Sequence, residues 1–137
     1  MPLYFHKEQV ELKINEESIS NWVSISIKKL RFIEGDISVI FCSDDYLKQI
    51  NINYLNHDYY TDIITFDYSD NKIISGDLFV SIDRVKENAE INNENFNKEI
   101  CRVIIHGILH LCGYKDKTSK EKEEMRKLED SFLNLIH

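Results

Sequence analysis

Proline and glycine are scarce in this chain, whose 137 residues include one proline and four glycines. With 42% hydrophobic and 30% charged residues, the composition is that of an ordered globular protein and excludes a disordered or linker-rich one. No apolar run approaches the length of a membrane span, and charges interrupt the N-terminal segment where a secretory signal needs an apolar core. These absences predict one domain, residues 1–137, located in the cytoplasm and without membrane contact.

Cysteine and positive charge are also in short supply. Cys42, Cys101 and Cys112 are far apart and lack a CxxC pair, so they are interpreted as core residues rather than as a disulfide or zinc framework. The net charge of −7 argues against a protein that binds polyanions over its whole surface. Residues 98–127 are the exception, with eight basic residues against five acidic ones. This local excess is compatible with an RNA contact or with an ordinary solvated helix.

Hydrophobic periodicity and turn-favouring residues predict the order of secondary structure. The last two of the predicted strands read as a hairpin, and Asp83 is the predicted cap of the third helix. The pattern predicts one α/β, or α+β-like, domain with about four strands in a mixed sheet and about five helices. The predicted strands are 3–12, 36–43, 61–68 and 76–82, and the predicted helices are 19–32, 44–53, 85–91, 96–112 and 118–136.

A metal site is predicted at the end of the fourth helix. His106 and His110 are four residues apart and project from the same helix face, so both imidazoles can reach one ion. Gly113 can end the helix in the left-handed conformation and return the chain, which would bring Asp116 to the histidines as a third ligand. These donors suit one Zn²⁺, and the carboxylate also admits Mn²⁺ or Fe²⁺. The helix is zincin-like in this respect.

Other residues near this motif have weaker signals. Glu99 lies seven residues before His106 on the same face and could accept a hydrogen bond from a ligand histidine, or could be an ordinary helix glutamate. The remaining histidines have no motif around them and are interpreted as surface or capping residues. They are His6, His57 and His137.

The segment HGILHLCGYKD, residues 106–116, resembles the signature HGxLHLxGYDH of the YbeY family of bacterial endoribonucleases, the rRNA maturation factors. Four further segments resemble the family along most of the chain: FCSDDYLKQIN, TDIITFDY, GDLFVSID and EKEEMRKLED. The resemblance implies a zinc-dependent hydrolase that cuts single-stranded RNA in 16S rRNA 3′-end maturation and in ribosome quality control. It also implies small-subunit rRNA, and a small-subunit ribosomal protein, as partners.

The chain departs from the family pattern at two functional positions. Asp116 occupies the third histidine position, and Leu55 occupies the position of the family arginine. Lys115 is therefore a candidate replacement that would pair a phosphate oxygen. Asp62 and Asp77, each at a predicted strand start, are candidate catalytic helpers.

Two other functions compete with the endoribonuclease hypothesis. A zincin-like peptidase, or another hydrolase, would share the metal helix, but Gly107 stands where HExxH enzymes carry their general-base glutamate. A ribosome-assembly factor with a mainly structural metal is favoured by the acidic net charge and by Leu55. Its domain would unfold when the metal is removed.

Overall fold

The computed structural model describes residues 3–136 and contains four strands and five helices within that range. This architecture confirms the predicted α/β fold class and the order of its elements. The elements are β1 (Leu3–Lys7), α1 (Glu16–Lys29), β2 (Ile33–Cys42), α2 (Asp44–Leu55), β3 (Ile63–Asp67), β4 (Ile73–Ser81), α3 (Ile82–Ile91), α4 (Phe96–Leu111) and α5 (Ser119–Leu133).

The four strands form one mixed sheet in the order β1-β2-β4-β3. The first two neighbouring pairs are parallel, because a helix connects β1 to β2 and α2 lies between β2 and the β3–β4 unit. β3 and β4 are antiparallel neighbours, as the hairpin prediction required.

Successive residues of a strand point to opposite faces of the sheet, and apolar side chains pack on both faces of this sheet. Leu78 and Val80 of β4 belong to the main core, which also contains the buried face of α4. Phe79, between them, packs on the other side with Leu47 of α2 and Ile64 of β3. Most of the hydrophobic core therefore lies on the α4 side of the sheet, and a second, smaller hydrophobic cluster lies on the α2 side.

Most element boundaries differ from the predicted ones by one to five residues, and three of these differences have a clear structural cause. β1 ends at Lys7 because Gln9 has a φ of 56°, which interrupts the extended backbone. β4 begins at Ile73, three residues earlier than predicted, since its first residues pair with β2.

The cap of α3 is Ser81 rather than Asp83. The Ser81 hydroxyl accepts the N–H of Arg84 at 3.1 Å. The Asp83 carboxylate instead accepts the backbone N–H of Asp44 at 2.8 Å and so connects α3 to the start of α2.

The remaining sequence-based expectations concern thiols, membranes and the C-terminus. All three cysteines are free thiols, and two of them are buried. Across residues 3–136 no helix combines the length and apolar character needed to cross a bilayer. His137 lies outside the described residues.

Candidate metal centre

The opposite faces of the fourth helix, α4, lie in different environments, and the two histidines extend from the face that the sheet does not cover. Asn95 caps its first turn, and the apolar side of the helix is buried against the sheet. Gly107 lies where this packing is closest: a Cβ there would come within 2.8 Å of Ile63 and 2.9 Å of Leu78. His106 and His110 extend on the uncovered side, with their Nε2 atoms 3.0 Å apart.

The turn after α4 brings the carboxylate back to the histidines. Gly113, at φ +96°, donates its N–H to His110 O, and Tyr114 donates its N–H to Leu109 O. These two bonds form a Schellman motif, for which glycine is the favoured residue. Asp116 Oδ2 then lies 3.2 Å from His106 Nε2 and 3.4 Å from His110 Nε2. The structure thus brings the three predicted ligands together.

The other ring nitrogen of each histidine has its own partner. His106 Nδ1 lies 2.6 Å from Glu129 Oε2, and His110 Nδ1 lies 3.0 Å from the carbonyl oxygen of Tyr114. A carbonyl oxygen only accepts, so His110 Nδ1 carries the proton, and the carboxylate favours the same tautomer in His106. Both Nε2 lone pairs therefore point toward the Asp116 carboxylate, an arrangement that needs a cation.

The distances fit a single divalent ion. Ligands that bind a tetrahedral zinc at about 2.0–2.1 Å lie about 3.3 Å from one another. The three measured separations are 3.0, 3.2 and 3.4 Å, and the donor atoms form the metal-binding group found among the described residues. His106, His110 and Asp116 can therefore hold a metal ion.

Glu129 is a site residue that the sequence analysis missed. It comes from α5 and is 4% exposed, and its second oxygen, Oε1, accepts from Arg102 Nη1 at 3.0 Å. The other end of the Arg102 guanidinium binds Asp130 at 2.8 Å. The one available signal was a glutamate among the apolar residues of α5, close to Met125 and Phe132, where a buried charge needs a partner.

Electrostatics at His106 reflect this network. Burial lowers the pKa of the imidazole, but the hydrogen bond and charge of Glu129, followed by the charges of Asp116 and Asp62, outweigh that effect. The pKa of His106 is therefore raised above its ordinary value. The carboxylates around the ring stabilise positive charge at this point, whether a proton or a metal ion supplies it.

The prediction for Glu99 is wrong with respect to the histidines. Its side chain makes no hydrogen bond to either of them, and Glu129 holds the position proposed for it. The reason is the helix rise: seven residues separate the two side chains by about 10 Å along the axis, too far for a hydrogen bond. Glu99 is nevertheless buried, at 5% exposure.

The three donors lie in an open cavity of about 650 Å³, which we call the outer cleft. Its walls include the segment between α2 and β3 and the loop after α4. Among its lining residues are Leu55, His57, Tyr59, Asp62 and Lys117. His57, interpreted from sequence as a surface residue, therefore lies in the same cleft as the histidine pair. Its Nδ1 is 3.0 Å from the hydroxyl oxygen of Tyr59.

Of the three predicted helpers, Asp62 alone lines the outer cleft. Asn88 Nδ2 donates to its carboxylate at 3.4 Å. Burial raises the pKa of Asp62, an effect that the nearby His106 and backbone hydrogen bonds reduce but do not cancel. A carboxyl group that holds a proton more readily than usual suits acid–base chemistry.

Lys115 and Asp77 lie elsewhere. Lys115 is exposed and lines a separate cavity, because the turn that directs Asp116 inward directs its neighbour outward; Lys117 lines the cleft instead. Asp77 alternates with Leu78, whose side chain faces α4, so the carboxylate lies on the α2 side of the sheet. There it accepts a hydrogen bond from the Tyr68 hydroxyl at 3.3 Å.

The fold and the cluster together define a class: a single-domain α/β protein with a candidate metal site of two histidines and one carboxylate on an open cleft. Residues 4–137 match the family model described as Endoribonuclease YbeY. The chain belongs to this family.

Individual relatives agree with that assignment. The endoribonuclease YbeY of Cytophaga hutchinsonii is 49% identical over 135 residues, which cover 97% of this chain and 94% of the relative. That of Parabacteroides distasonis is 45% identical over 137 residues, covering 99% and 96%. A solution structure of a Thermotoga maritima protein superposes with a TM-score of 0.66 at 27% identity, covering 96% of this chain and 87% of that one.

Proposed function

We propose that this protein is a zinc-dependent endoribonuclease that cleaves single-stranded RNA. The observation that carries the proposal is the cluster of His106, His110 and Asp116 on the surface of the outer cleft, where their side chains are 23%, 28% and 37% exposed. An ion held there would be within reach of a bound strand. The curated relatives, which carry the name endoribonuclease YbeY, support the same activity.

Each residue of the cleft has a distinct task in this proposal. A divalent ion would supply Lewis-acid polarisation of the scissile phosphate. Glu129 and the Tyr114 carbonyl keep the two imidazoles in the tautomer and orientation that binding needs. Asp62 accepts the proton of the attacking hydroxyl, either of water or of the ribose 2′ position. Lys117 at the edge of the cleft stabilises negative charge on the strand.

Zinc is the proposed ion because two imidazole nitrogens and one carboxylate oxygen are donors that zinc prefers, with a fourth position left for a reacting group. The oxygen donor also suits manganese or iron more than a third imidazole would. Elemental analysis of protein purified without added metal identifies the ion.

The direct test is cleavage of a single-stranded RNA oligonucleotide by pure protein. We expect wild-type cleavage to stop on chelation and to return when zinc is added. His110→Ala should be inactive with or without added zinc, whereas His6→Ala, a change at an exposed position of β1, should cleave normally. Continued cleavage by His110→Ala would refute the proposal, because the activity would then belong to another site or to a contaminant.

Two alternatives fit the geometry less well. A peptidase of the HExxH type needs a glutamate at position 107, where the side chains of Ile63 and Leu78 would have to move to admit even a Cβ atom. A purely structural metal is usually enclosed by four protein ligands, whereas this cluster offers three and faces the cleft. Thermal melting of the protein with and without metal tests the structural-metal alternative, since loss of a structural ion would unfold the domain.

We further propose that the physiological substrate is small-subunit rRNA. The activity would then serve maturation of the 16S 3′ end and ribosome quality control in the cytoplasm, with a small-subunit ribosomal protein as a partner. The family membership supports this role. Depletion of the protein should leave 16S precursors with unprocessed 3′ ends, measured by mapping those ends. Normal ends in depleted cells would refute this part of the proposal alone.

A further inference from the structure

A second cavity, of about 410 Å³, adjoins the outer cleft behind the metal cluster. We call it the inner pocket; its polar lining includes Asn88, Asn92, Glu99 and Arg126. Asp62, His106 and Asp116 line both cavities, so the two meet at the proposed reaction centre. A group next to a phosphate at the cluster could therefore enter the inner pocket.

Glu99 is the unusual residue of this pocket. It is 5% exposed, and within residues 3–136 its carboxylate has no hydrogen bond and no ion pair. Arg102, one turn along α4, directs its two terminal nitrogens to Glu129 and Asp130 instead. Its carboxylate lines the pocket, where its oxygens remain accessible and can accept hydrogen bonds from a ligand that donates them.

The neighbours of Glu99 indicate what kind of donor fits. Asn88 and Asn92 add amide groups, which both donate and accept, and Arg126 lies at the mouth with its side chain 57% exposed. Carboxylates, amides and guanidinium planes are the groups that read and stack on the unpaired bases of single-stranded RNA. Burial raises the pKa of Glu99 more than the two nearby arginines lower it, as expected for a carboxyl that lacks its donor.

We propose that the inner pocket binds the base of the nucleotide next to the scissile phosphate, and that Glu99 accepts a hydrogen bond from the exocyclic amino group of that base. The site would then favour cytosine and adenine over uracil and hypoxanthine, which carry an oxygen in place of the amino group. This inference rests on the proposed function, because a base reaches the pocket only when RNA is the substrate.

The test measures binding first, without cleavage. Zinc-loaded protein is titrated calorimetrically with two matched pairs: cytidine against uridine monophosphate, and adenosine against inosine monophosphate. We expect the amino-bearing member of at least one pair to bind about fivefold tighter or more. Glu99→Gln should abolish that difference, since its amide donates equally well to an oxygen, while Glu90→Gln, an exposed glutamate on α3, should keep it.

Equal affinities within both pairs for the wild type would overturn the inference, whatever the variants do. A Glu99→Gln protein that loses affinity for all four nucleotides equally would also overturn it, since that result indicates a structural role. Cleavage of oligonucleotides that differ only in the base beside the cut then distinguishes a failure of the pocket assignment from a failure of the proposed function. Cutting without base preference refutes the pocket assignment, and no cutting by wild type refutes the proposed function.

Discussion

Two cavities of similar size, one at the histidine pair of α4 and one between α2 and the sheet, differ in chemistry rather than in volume. The outer cleft, about 650 Å³, is lined by three imidazoles and three carboxylates. The cavity on the α2 side, about 570 Å³, has one carboxylate, Asp77, surrounded by rings. We call it the aromatic cavity; its rings belong to Tyr46, Tyr54, Phe66, Tyr68 and Phe79. The comparison shows that the cluster of metal-binding atoms, and not the size of a cavity, identifies the candidate reaction centre.

The largest expected effect belongs to the proposed metal ligands in the outer cleft. Asp116→Ala should lower zinc occupancy nearly as far as His106→Ala does, with cleavage falling to background in both, because two remaining donors bind zinc weakly. Tyr68→Phe, in the aromatic cavity, should keep full occupancy. Elemental analysis measures the metal content. Full occupancy in Asp116→Ala would remove that residue from the site.

The same substitution at Asp62 and at Asp77 compares the outer cleft with the aromatic cavity. Asp62→Asn should reduce kcat by about 100-fold or more while zinc stays bound, since the amide cannot accept a proton. Asp77→Asn should leave kcat unchanged because its carboxylate faces the other side. Steady-state cleavage of one oligonucleotide compares them. Equal losses in the two variants would contradict the separation of the two faces.

Glu129→Gln tests whether the contact from α5 to His106 strengthens zinc binding. The change preserves shape but removes the charge that holds His106 Nδ1–H, so zinc affinity should fall about 10- to 100-fold. Competition with a chelating dye measures the affinity. Glu123→Gln, at an exposed position of the same helix, is the control and should match wild type. An unchanged affinity in Glu129→Gln would mean that orientation of His106 does not depend on this contact.

The smallest effect separates the two lysines of the loop. Lys117→Ala should raise KM about two- to fivefold at low salt, because an exposed ion pair contributes up to about 1 kcal/mol. Lys115→Ala should not change KM, since that side chain lines a different cavity. Added salt should remove the difference between the variants. A larger increase in KM from Lys115→Ala than from Lys117→Ala would favour the sequence-based assignment of Lys115 as the residue that pairs a phosphate oxygen.

Local patterns were sufficient for most of the secondary structure. The helix of His106 could be predicted because its cap, its apolar face and its glycine stop all lie within one short segment. Boundaries were less predictable: β4 starts at Ile73 because of pairing with a strand about 40 residues earlier, which no local pattern contains.

The sequence by itself determined the cluster of candidate ligands, since His106, His110 and Asp116 lie within eleven residues and depend on one helix turn and one reversal. Tertiary structure decided the surroundings. Glu129 reaches His106 only because α5 packs on α4, and Asp62 joins the site only because β3 lies beside that helix. The physical reason is range: helix geometry and turns act over a few residues, whereas the partners of a buried polar group are set by packing between distant segments.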